Sequence, residues 1–137
     1  MSEQFTEQQK LILQVMYNAK RFPIVRLELH SSKEEELVNT ALNYVWITDE
    51  DDSMEEVKER GEAIKSLMEQ GLVFIDYTIR VWVAGDYDIY YKSKIYELLC
   101  HTVMESAKKP NTLFDTPYLR KGYAQLTRRG EKIARQL

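Results

Sequence analysis

Apolar positions recur along this chain at helical spacing in several stretches, separated by short runs that read as strands. Ile12, Val15, Met16 and Ala19 form one stripe, widened by Leu11 and Leu13, and predict a helix from Glu7 to Lys20. Thr6 with Gln9 supplies a capping box at its start, and Pro23 stands just beyond its end. Ile24 to Leu29 alternates in part and predicts a short strand. Leu37, Ala41, Tyr44 and Val45 lie at helical spacing behind a second capping box, Ser32 with Glu35, so a second helix is expected from Lys33 to Trp46 or Ile47. After the polar break Thr48–Asp52, Ser53 with Glu56 opens a third helix, Met54 to Gln70, and Gly71 suits the left-handed position that ends it.

Leu72 to Tyr77 reads as a buried strand, with Thr78–Val83 as its candidate continuation. Gly85-Asp86 signals a turn, and Asp88 to Tyr91 is expected to return as an edge strand. Lys94 to Lys108 predicts a fourth helix capped by Ser93, with Ile95, Leu98, Leu99, Val103 and Ala107 inward. Tyr118 to Leu126 is strand-like, and Thr127 caps a last helix that runs to Leu137. No repeat or linker divides the chain, so residues 1–137 are read as a single domain.

Two phrases carry more than their periodicity. Ala63–Val73 is an amphipathic helix end, a Gly stop and a buried strand; Tyr123–Leu137 is a strand, a Thr cap and a new helix. Together, in the order helix, strand, helix, helix, strand, wing, strand, helix, they resemble the winged helix-turn-helix of bacterial transcriptional regulators of the PadR and MarR kind. The resemblance implies an α+β fold with a three-helix core and a small antiparallel sheet. It also implies a DNA-binding transcriptional regulator whose third helix enters the major groove. The chain departs from the pattern between the wing strands, where about residues 77–117 hold an inserted helix. Ile95, Tyr96, Leu98, Leu99, Cys100, Val103 and Met104 surround much of that helix, which suggests either core packing or a homodimer contact through Lys94–Lys108.

Charge changes the functional picture. The net charge of −3 conceals an uneven distribution: residues 1–76 hold eight Lys/Arg against sixteen Asp/Glu, whereas residues 108–137 hold eight against two. On the third predicted helix, with Ile64 at the centre of the inner face, the outward face carries Glu55, Glu59, Glu62, Ser66 and Glu69, with Lys58 and Lys65 at its edge. Phosphates repel such a face, which lacks the Arg, Lys, Asn and Gln used for base readout. Two readings follow. In one, the protein binds double-stranded DNA and Lys108, Lys109, Arg120, Lys121, Arg128 and Arg129 supply the phosphate contacts. In the other, it is a protein–protein interaction module without DNA binding. The acidic face, Glu55, Glu59, Glu62 and Glu69, or the aromatic set Tyr87, Tyr90, Tyr91 and Tyr96, then meets a protein partner.

Other chemistry is thin. Cys100 is the single cysteine, so neither an intrachain disulfide nor a cysteine-based zinc site is expected. His101 beside it on a helix points about 100° away, a poor nucleophile–base geometry. His30 and His101 lack metal-ligand spacing, and Asp49–Asp52 lacks the Gly and terminal Glu of an EF-hand loop. No phosphate-binding glycine loop or nucleophile elbow is present. The sequence therefore predicts no enzyme, no cofactor and no metal. The start Ser2-Glu3-Gln4 lacks a basic segment before an apolar run, and no stretch approaches the ~20 apolar residues of a membrane span. A reduced cytoplasmic location is the simple expectation.

Overall fold

The computed structural model describes residues 4–137; the Ser2-Glu3 start lies outside them. Its elements are α1 (Glu7–Asn18), β1 (Phe22–His30), β2 (Val38–Val45), α2 (Met54–Glu69), β3 (Val73–Asp76), a 3-10 turn (Ala84–Tyr87), α3 (Asp88–Lys92), α4 (Lys94–Ala107), β4 (Thr116–Leu126) and α5 (Arg128–Ala134). The four strands form one antiparallel sheet in the order β2-β1-β4-β3. The fold is thus α+β. No helix among the described residues is long and apolar enough to cross a membrane.

Local chemistry sets most boundaries. The Thr6–Gln9 capping box forms in both directions, Gln9 N–H to the Thr6 hydroxyl at 3.1 Å and Thr6 N–H to the Gln9 amide oxygen at 2.9 Å. Ser53, Ser93 and Thr127 each accept a backbone N–H from the first turn of α2, α4 and α5. Gly71 ends α2 with φ +76°, a conformation that costs a glycine little.

The two phrases singled out in the sequence dock against each other. Thr127 N–H donates to Leu72 O at 3.0 Å and its hydroxyl to Gly71 O at 2.7 Å. A Cβ at Gly130 would stand 2.0 Å from Leu72 O, so only glycine lets α5 sit this close to the entry of β3.

Because successive strand residues face opposite ways, β1 feeds two cores. Phe22 and Ile24 join Ile12, Leu13, Met16, Ile64, Leu67 and Ala134, under α1, α2 and α5. Val25 and Leu27 join Tyr87, Tyr90, Ile95, Leu99 and Val103, under α3 and α4. At roughly 25 cal/mol per Å2 of apolar surface, these two layers supply most of the drive to fold.

Three sequence expectations are corrected. The second helix does not form: residues 38–45 are strand β2, paired with β1 from Val25↔Val45 to His30↔Val38. The capping box is spent elsewhere, since the Ser32 N–H and hydroxyl both donate to the Asp115 carboxylate. Without that middle helix there is no helix-turn-helix, and the three-helix core expected from the resemblance is absent. Asp88–Tyr91 is helical rather than an edge strand, held inward by Tyr87 OH donating to Gly122 O and Tyr90 OH to Pro23 O, each at 2.6 Å. Thr78–Val83 does not continue β3 and is irregular. The inserted helix does lie between β3 and β4, as α4.

Candidate functional site

The acidic surface is built by helical phase. Val57, Gly61, Ile64 and Leu67 turn α2 into the protein, and Gly61 lets it rest on the backbone of β2, where an added Cβ would meet Tyr44 O at 3.2 Å. The opposite face leaves Glu55, Glu59, Glu62 and Glu69 exposed, with Lys58 and Lys65 at its margin. Among the described residues, none of these four glutamates takes part in an ion pair; Glu56, on the flank, reaches Arg60 at 3.5 Å. Met54, Glu55, Lys58, Glu59 and Glu62 line an open groove of about 580 Å3 along this face.

The turn that launches α2 extends the acidic surface but is not wholly solvated. Asp52 is 6% exposed and accepts from Thr48 N–H at 2.8 Å, Asp49 N–H at 3.2 Å and Arg60 Nη1 at 2.6 Å. Burial raises its pKa, and the bonds from Arg60, Thr48 and Asp49 outweigh that and hold it below the ordinary carboxylate range. Asp49, Glu50 and Asp51 remain exposed, with Asp51 facing Lys94 at 3.2 Å.

The six basic residues expected to contact phosphate do not share one face. Arg120 and Lys121 are neighbours on β4 and point to opposite sides of the sheet. Lys121 lies among aromatic rings, with Nζ 4.8 Å from the Trp82 ring centre and 5.3 Å from that of Tyr91, whose hydroxyl it also meets at 3.0 Å. Lys108 and Lys109 follow α4, and Lys108 pairs with Glu105 at 3.0 Å. Arg128 and Arg129 open α5, and Arg129 donates to Gln70 O at 3.0 Å, serving the end of α2. The aromatic set divides too: Tyr87 and Tyr90 are buried core, while Tyr91 is exposed.

Arg120 belongs to a cluster that sequence reasoning missed. Arg26, Glu28 and His30 share one face of β1, and Arg26↔Arg120 and Glu28↔Tyr118 stand directly opposite across the β1–β4 pair. Glu28 is 1% exposed and receives Arg26 Nε at 2.7 Å, Arg120 Nε at 2.8 Å, Arg120 Nη2 at 3.0 Å and His30 Nε2 at 2.8 Å. Burial pushes its pKa up, but the bonds from Arg120, His30 and Arg26 prevail and leave it at about 2. The Arg26 guanidinium lies 4.8 Å from the Tyr77 ring centre and that of Arg120 5.1 Å from Tyr118, which stacks on His30 at 4.3 Å. The signal was present as Arg26-x-Glu28-x-His30, charged groups at a strand period of two.

No group of three or more His, Cys, Asp and Glu among the described residues is arranged to hold a metal ion. Comparison of the chain with protein-family models, with curated proteins and with solved structures finds no significant match.

Proposed function

We propose that this chain is a protein-interaction module on an α+β frame, with the outer face of α2 as its contact surface for a basic partner. The observation that carries the reading is the row of four exposed glutamates on the outer face of α2, free of ion pairs among the described residues. Phosphate contacts dominate DNA affinity, and this surface repels them. DNA binding is the weaker reading, because Arg120 and Lys121 are engaged within the protein and face opposite ways.

The test uses a lysine- and arginine-rich peptide and a random-sequence duplex as probes. The peptide binds with an affinity that falls as salt rises, and the triple change Glu55→Lys, Glu59→Lys, Glu62→Lys abolishes binding. A duplex that binds instead, and loses affinity when Arg128 is changed to Ala, overturns the reading. Self-association through α4 is a separate element of the proposal, carried by Leu98 and Met104, which are 51% and 61% exposed. Sedimentation at high protein concentration that finds only monomer removes it.

A further inference from the structure

We infer that the sheet face around Glu28 is an oxyanion site, in which Arg26 and Arg120 together grip a phosphate or carboxylate group. The inference is independent of the α2 surface and lies on a different element.

Like charges directly opposite on neighbouring strands repel, so the Arg26↔Arg120 pair needs a reason. Glu28 supplies half of one. It neutralises a single positive charge, and its two oxygens are filled by the four donors around them. One positive charge is left over. Asp115, at the His30 end of the strand pair, forms no ion pair with either arginine among the described residues, and its carboxylate accepts from the N–H and hydroxyl of Ser32 instead.

The donors left over are well placed. Arg26 meets Glu28 through Nε, and its two terminal nitrogens have no hydrogen-bond acceptor among the described residues; the same holds for Arg120 Nη1. The two side chains remain 29% and 32% exposed, so these ends open to water above a carboxylate that is sealed beneath them. Each guanidinium is held by its bond to Glu28 and by the ring it lies on, Tyr77 or Tyr118. Such fixation lowers the ordering cost of binding, and planar forks match the oxygens of phosphate and carboxylate. Beside Arg120, a cavity of about 60 Å3 lined in part by Tyr77, Ile79, Trp82 and Tyr118 leaves room next to the exposed guanidinium. The network around Glu28 thus serves as the rigid floor of a site whose roof is still open.

The experiment follows the arginine Nε–H signals of Arg26 and Arg120 by NMR while inorganic phosphate replaces chloride at constant ionic strength, with acetate as a parallel arm. Saturable shifts of both signals with phosphate, or with acetate, support the site, and the arm that saturates first identifies the oxyanion. The variant R26Q, which leaves Glu28 held by Arg120 and His30, weakens binding about tenfold or more, and R128Q leaves it unchanged. Should R26Q not fold, R26K keeps the charge without the fork and weakens phosphate binding severalfold. Shifts that never saturate, or an affinity untouched at Arg26 but lowered by R128Q, overturn the inference.

Discussion

Glu28 and Glu59 are the same residue type in opposite circumstances. Glu28 lies on the inner strand β1, sealed beneath Arg26 and His30 from its own strand face and Arg120 from the neighbouring strand β4. Glu59 lies on the outer face of α2 among other glutamates and has no ion-pair partner among the described residues. A strand pair brings distant residues onto one face in fixed register, so a buried charge there can be met by several partners at once. A helix face groups residues that are close in sequence, and here they carry one sign. The first arrangement turns charge into structure. The second leaves charge available for another molecule.

The largest effect expected is therefore at Glu28. Changing it to Ala strands two opposed arginines and costs about 3–5 kcal/mol, whereas Glu59→Ala stays within about 0.5 kcal/mol, both read from urea unfolding at neutral pH. Equal effects at the two positions would erase the contrast. Acid provides the next. With its folded pKa at about 2 against an ordinary value of 4.5, the carboxylate of Glu28 stabilises the protein fully above about pH 4.5. That contribution, about 3 kcal/mol, is lost as the pH falls from there toward 2. Unfolding measured across that window should show the loss in the wild type and much less of it in E28Q.

Asp52 tests whether burial and pairing, rather than the strand setting, make a carboxylate structural. It sits at the acidic turn yet behaves like Glu28, so Asp52→Ala should cost about 2 kcal/mol and Asp51→Ala close to nothing, by the same unfolding assay. The smallest effect on stability belongs to the α2 face. Each of Glu55→Lys, Glu59→Lys and Glu62→Lys should shift the unfolding midpoint only slightly, because none of these side chains answers a buried group.

The same division explains how far the sequence could be read. Short-range signals were legible: the Thr6–Gln9 box, the Ser53, Ser93 and Thr127 caps and the Gly71 stop all depend on residues within a few positions, and all form. The outward glutamates of α2 followed from helical phase alone. Strand β2 did not, because it is an edge strand whose first half is exposed on both sides and shows no alternation. Leu37, Ala41, Tyr44 and Val45 happen to fit a helical period, and the cap expected at Ser32 was claimed by Asp115, a partner 83 positions away. The Glu28 cluster was hidden for the same reason, since Arg120 lies 92 positions along the chain. Arg120 read alone is a free cation; only the β1–β4 register reveals its acceptor.

The most direct measurement is a titration of the wild-type protein and the Glu55, Glu59, Glu62 to Lys triple variant against a basic peptide and a random duplex at about 50 mM salt. With α2 as the contact surface, the wild type binds the peptide and not the duplex, and the triple variant loses the peptide. Duplex binding by the wild type, with peptide binding absent or unchanged in the triple variant, contradicts it.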